Sequence, residues 1–240
     1  MIIVEPKVEV LAYTQLVPTT QWKVEKGPGL FDSQKSIGEL DKCSEMSRVV
    51  ERCGRVSWKS EDKIGPGTAD GFMTRVVNIR KDESIAEHAS VTMLFTTDRC
   101  VSHQLVRHRI AAYTQESTHY INYGKRGDPI EVCKPMGIPE CLDDDCQECP
   151  FDKWVRAMIE CEDAYFGMLA AGVKHYHARY ALPGCLKTEV AATYNLRTWR
   201  HVLGLRTTPN CTPEITHVMK LAGNHMHALC PEMFEEVYTL

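Results

Sequence analysis

Arg107-His108-Arg109-Ile110-Ala111-Ala112-Tyr113-Thr114-Gln115-Glu116-Ser117-Thr118-His119-Tyr120 is the stretch on which the fold and the chemistry of this chain turn. Two arginines and a histidine stand at successive positions. On a helix they cannot all face the same way, and at a helix end their donors point into adjoining space, an arrangement suited to anionic groups such as phosphates. The alternative is a solvated basic turn. Just upstream, Ala89 to Thr97 alternates small or polar residues with large apolar ones and contains no breaker, which predicts a strand. Asp98 then has the character of an N-cap. The helix it opens carries Val101 and Leu105 on one side, and Gln104, Arg107 and His108, at offsets of three and four, on another.

Outward from this centre, Met1 to Thr14 is β-branched and alternates weakly, as a first strand does, and Gly27-Pro28-Gly29 breaks the chain after it. Helical spacing runs from Ser33 to Cys53, and Thr68 to Arg80 starts a second helix with Thr68 as its cap. Gly124 to Asp152 is rich in proline and glycine and reads as a long connection. Beyond it come a long helix over Phe151 to Gly172, a strand over Lys187 to Tyr194, and helices over Arg197 to Arg206 and Pro213 to Leu229. Helices and strands mix without regular βαβ alternation, so the expected class is α+β, or irregular α/β, in one domain over residues 1–240.

The composition narrows the function classes. A chain of 240 residues with 43% apolar content can bury a core of its own, and a net charge of -4 gives no overall basic field for nucleic acid or membrane surfaces. No apolar stretch approaches the roughly 20 residues that cross a bilayer, and Met-Ile-Ile-Val-Glu-Pro-Lys lacks the plan of a signal peptide, so a soluble, cytoplasmic protein is expected. Eleven cysteines, an odd number mostly set singly in helical or apolar patterns, read as reduced thiols. Cys146-Gln-Glu-Cys149 has a zinc-like gap, but the spacings to Cys133 and Cys141 are irregular and Asp143 to Asp145 suit an exposed loop, so no metal is expected. His175/His177 and His225/His227 are alternate on helices and send their rings to different sides, which disfavours a zinc hydrolase. Trp58, Trp154 and Trp199 are expected in the core or at an interface.

Arg-His-Arg, seven residues, then Ser117 resembles the signature of the flavin-dependent thymidylate synthases, and Tyr120 matches too. The resemblance continues in order through Arg55-Val56-Ser57, Glu87-His88-Ala89-Ser90, Ser102 to Leu105, Ala178-Arg179-Tyr180-Ala181-Leu182-Pro183, Asn195-Leu196-Arg197 and Leu205-Arg206. It implies a central, mostly antiparallel sheet flanked by helices, a homotetramer with active sites between subunits, and reductive methylation of C5 of dUMP to give dTMP. The cofactors it implies are FAD, NADPH as reductant and 5,10-methylene-tetrahydrofolate as the one-carbon donor. By position, Ser84, Arg107, His108, Arg109, Gln115, Asn195 and Arg197 would contact FAD. Gln104, Arg107, Gln115, Glu116, Ser117, His119, Arg179 and Arg206 would contact the nucleotide, with Arg179 at its phosphate and Arg206 at the uracil. Arg206 is the expected catalytic residue, because a guanidinium beside N3 and O2 stabilises an ionised uracil, raises electron density at C5 and stays charged at any working pH. No enzyme nucleophile is needed, in keeping with cysteines that lack an activated setting.

The departures from the family pattern lie near the expected site. His119 stands where an arginine is usual, Gln115 precedes Glu116 where an acidic residue commonly comes first, and Asp82 takes the place of a histidine. Asn210-Cys211-Thr212-Pro213-Glu214 replaces a His-Ala-Gln-Trp-Glu type of segment. They leave two alternatives to an ordinary dUMP methylase: a relative specialised for UMP, whose 2′-hydroxyl would need a partner, and an inactive nucleotide- or flavin-binding relative.

Overall fold

In the computed structural model, which describes residues 1–16, 44–127, 129–139 and 149–238, the chain opens with two strands, β1 (Ile2–Ile3) and β2 (Lys7–Tyr13). The single strand expected over Met1 to Thr14 is thus divided, with Pro6, which has no N–H to give to a ladder, standing between its parts. Helix α1 (Glu45–Val56) begins at Ser44, whose Oγ accepts from the Ser47 N–H at 3.1 Å. The earlier part of the expected Ser33–Cys53 helix, and the Gly27-Pro28-Gly29 break, lie outside the described residues. Helix α2 (Thr68–Phe72) runs on into a π-helical segment, Met73–Ile79. Its cap is Gly67, at φ 75°, and not Thr68 as expected; that left-handed turn brings the Thr68 hydroxyl back to accept from the Gly65 N–H at 3.1 Å.

A 3-10 turn, Glu83–His88, leads into β3 (Ser90–Asp98) and α3 (Arg99–Leu105). Then follow β4 (Ala112–Gln115), α4 (Tyr123–Arg126), β5 (Glu131–Val132), α5 (Pro150–Ala170) and α6 (His175–Ala178), with a second 3-10 turn at Arg179–Ala181. Strand β6 (Lys187–Asn195) passes directly into α7 (Leu196–Arg206), and α8 (Pro213–Leu229) and α9 (Pro231–Tyr238) close the described chain. The expected Gly124–Asp152 connection therefore carries α4 and β5 in its first half, while Cys141 and Cys146 lie outside the described residues.

The main sheet is antiparallel throughout, in the order β2-β3-β6-β4, and β1 pairs with β5 in a small parallel ladder of its own. Opposed apolar residues of the two central strands, Val91, Met93 and Phe95 with Val190, Ala192 and Tyr194, are buried in the main core together with residues of α1, α7, α8 and α9. Trp199 anchors this layer from α7: it is wholly buried, its Nε1 donates to Val91 O at 3.1 Å, and its ring meets Tyr194 edge-on at 4.4 Å. Trp58, expected in the core or at an interface, lies outside the core of the single chain, 71% exposed, with the Arg80 guanidinium 5.5 Å from its ring centre. Among the described residues no helix is long and apolar enough to cross a membrane.

Candidate active site

The C-terminal ends of α3 and α7 and the start of α8 meet at one place. Asp98 caps α3, its Oδ1 accepting from the Val101 N–H at 2.7 Å, and the helix ends at Leu105, earlier than the helical spacing suggested. Arg107 and His108 therefore do not share a face with Gln104: past the helix end Arg107 is exposed while His108 is buried. Tyr113 holds the turn, its hydroxyl 2.9 Å from Leu105 O, 3.2 Å from His108 O and 2.8 Å from the Tyr194 hydroxyl. Inside the turn, Arg206 Nε donates to His108 Nε2 at 3.0 Å. Burial first, and then the charges of Arg206 and His201, push the His108 imidazole down to about 4, so it is neutral and able to accept this hydrogen bond near neutral pH. Gln104 reaches Thr212, at the head of α8, at 3.4 Å, and Thr216 of that helix donates to Arg206 O at 3.2 Å.

Other expected site residues fall into two further groups. At the start of α7, Asn195 Oδ1 accepts from the Thr198 N–H at 2.8 Å as the cap, and Arg197 pairs with Glu87 and, at 3.8 Å, with Glu83, the neighbour of Ser84. Arg197 and Arg206 stand at opposite ends of α7, with backbones roughly 14 Å apart along its axis. Beyond β4, His119 meets Tyr120 edge-on at 4.9 Å and Tyr176 at 5.6 Å, and its carbonyl lies 2.9 Å from His175 Nε2. Arg179 lies 5.5 Å from the ring centre of exposed Tyr180. Ser117 Oγ accepts from the His119 N–H at 3.3 Å. Arg109 donates to Val106 O at 2.9 Å and to His108 O at 3.0 Å, bracing the turn from outside. His225, of the other paired-histidine segment, sits 3.0 Å from Val8 O.

None of the partners that hold Gln115 and Glu116 was among the expected site residues. The Gln115 amide donates to Ser102 Oγ at 2.9 Å and to Thr188 Oγ1 at 3.2 Å, which leaves its Oε1 as an available acceptor. Glu116 accepts from the Tyr123 hydroxyl at 2.9 Å, lies 3.8 Å from Lys187 Nζ and is turned away from solvent. Strand β4 itself was missed: Ala112 to Gln115 is an edge strand whose Tyr113 and Gln115 face inward, an alternation too short to show as a period in the sequence.

The profile of the family described as thymidylate synthase complementing protein matches residues 40–232. The chain belongs to this family. It is 35% identical over 173 residues to a flavin-dependent thymidylate synthase of Pyrococcus furiosus, a match covering 71% of this chain and 67% of that enzyme. With the enzyme of the same name from Thermococcus onnurineus it shares 35% identity over 164 residues, 67% of this chain and 64% of the relative's length. The UMP/dUMP methylase PolB of Streptomyces cacaoi, solved with bound 5-Br dUMP, has the same fold, with a TM-score of 0.70 at 22% identity over all of this chain and 97% of that one. All the candidate residues, from Ser84 to Arg206, lie inside the family match.

Proposed function

We propose that the protein methylates C5 of a uracil nucleotide reductively, dUMP to dTMP, with FAD, NADPH and 5,10-methylene-tetrahydrofolate. The observation that carries this reading is the Arg206–His108 contact. A neutral histidine accepts from Nε and fixes the plane of the guanidinium, whose terminal N–H donors have no partner among the described residues. Such a preorganised cation, held against N3 and O2 of uracil, stabilises negative charge on the ring and makes C5 the nucleophile. Membership of the family and the flavin-dependent relatives support the same chemistry.

The residues fit a flavin. Arg107 and Arg109 carry exposed guanidinium groups, Ser84 an exposed hydroxyl, and Asn195 keeps an amide N–H₂ beyond its cap bond. Together with Arg197 these are donors for phosphates and ring carbonyls. FAD, when bound, supplies hydride transfer. The exposed apolar side chains Ile110, Tyr120 and Tyr180 near the candidate residues support sites completed between the subunits of a homotetramer.

A second reading, UMP as substrate, is favoured by Gln115: its two amide hydrogens are engaged, so Oε1 could accept from a ribose 2′-hydroxyl. Tritium release from C5-labelled dUMP and UMP, measured side by side with FAD, methylene-tetrahydrofolate and NADPH, tests both. Release from dUMP is expected, release from UMP alone establishes the second reading, and release from neither, with flavin bound, leaves a nucleotide binder and refutes the methylase.

A further inference from the structure

Between Asp163 and Glu189 the sequence carries Lys174, His175, His177, Arg179 and Lys187 and no carboxylate side chain at all. The first four stand on or beside α6, a single helical turn seated on the core by the wholly buried Ala178. A short turn of this kind, free of acidic residues, favours an anion. Arg179 follows directly in still helical backbone, and its guanidinium lies beside the Tyr180 ring with no ion-pair partner among the described residues.

Two side chains of α6 that belong to neither expected ligand set reach across to the turn that holds His119. His175 Nε2 lies 2.9 Å from His119 O, and since a carbonyl only accepts, this nitrogen carries the proton and donates. Tyr176 sets its ring 5.6 Å from that of His119, tilted by 35°. One contact fixes the His119 backbone and the other its imidazole. Arg179 is four residues on from His175 and three from Tyr176, so on helical backbone all three share a face.

We propose that His175 and Tyr176 are positioning residues, which set the spacing of His119 and Arg179 so that imidazole and guanidinium converge on one phosphoryl group of the substrate. That the substrate is a uracil nucleotide rests on the function proposed above. A short, exposed imidazole that had to be ordered at the moment of binding would give up affinity; here the ring contact and the backbone bond order it beforehand.

The test is calorimetric titration of dUMP and UMP, each beside its nucleoside, into the flavin-loaded protein, with circular dichroism and bound-flavin absorbance recorded for each variant. In His175→Ala/Tyr176→Ala the dissociation constant of each nucleotide that binds should rise about tenfold, the order of one charge-assisted hydrogen bond lost in part. Deoxyuridine and uridine, which lack the phosphate, should bind as they do to the parent. His175→Gln/Tyr176→Phe, which keeps an N–H donor and a ring, should recover most of the affinity. Unchanged nucleotide binding in the alanine variant would overturn the proposal, and so would equal losses for nucleotide and nucleoside, the mark of general damage to the site. A parent protein that binds neither nucleotide refutes the proposed function and this role with it. One that binds a nucleotide, shows the phosphate-dependent loss and yet releases no tritium refutes the methylase alone.

Discussion

The Arg206 region and the His119 region hold the residues expected to meet the nucleotide, and they are built in opposite ways. Around Arg206 nearly every polar group that points inward has a partner: His108 accepts from Nε, Tyr113 braces the turn, Thr216 takes the Arg206 carbonyl and Gln104 reaches Thr212. Around His119 the side-chain contacts are between rings, and its backbone alone is hydrogen-bonded, to Ser117 Oγ and His175 Nε2; Tyr120 beside it is 82% exposed. A cation that must stabilise charge developing on a substrate gains by being fixed beforehand. A surface that discriminates among sugars and phosphates can change its residues without disturbing a core, and this is where His119 departs from the family.

That contrast predicts its largest effect at Arg206. Arg206→Ala should lower tritium release from the preferred nucleotide by about 10³-fold, the order lost when a preorganised charge-stabilising group is removed, while flavin remains bound. Turnover near that of the parent would show that the fixed region is only structural.

Acid should act on the same region through His108. Its folded-state value is lowered from 6.5 to about 4, so between these values the unfolded chain binds a proton that the folded chain does not. The stability this provides is complete above the ordinary histidine value and is lost as pH falls toward 4. Protonation also removes the acceptor for Arg206 Nε. The nucleotide-dependent kcat/KM should therefore fall about tenfold per pH unit below an apparent pKa near 4, and the urea midpoint should already drop between pH 6.5 and 4. A break at the ordinary histidine value would mean that His108 is not shielded.

Tyr113→Phe should do less, costing about 1 kcal/mol in urea unfolding for a lost neutral hydrogen bond. The apparent pKa of His108 should move with it if Tyr113 positions the turn, and stay put if the tyrosine only packs.

The fixed region was legible in the sequence because its signals are local. Asp98 shows as a cap from its neighbours, the strand after Ala89 shows by alternation, and Pro213 at the first turn of α8 marks where that helix begins. What stayed hidden depends on contacts across the fold. Four residues, Ala112 to Gln115, are too few for a periodic signal, and their pairing with β6 is what makes them a strand. Glu116 was an expected nucleotide contact, but that Tyr123 and Lys187 hold it shows only in the folded chain. Helical offsets put Arg107 and His108 together with Gln104, but the helix ends first, and the end of a helix is set by tertiary contacts such as that of Tyr113.

The smallest effect should come from the adaptable region. His119→Arg restores the longer, permanently charged and potentially bidentate side chain usual in the family, in a position already exposed beside Tyr120. If this surface holds the nucleotide phosphate, KM for the nucleotide should fall about three- to tenfold with kcat unchanged, and the gain should shrink with added salt, because the new interaction is an exposed ion pair. A change in kcat without a change in KM would instead tie His119 to the charge-stabilising machinery, and the division between a fixed chemical region and an adaptable recognition region would fail.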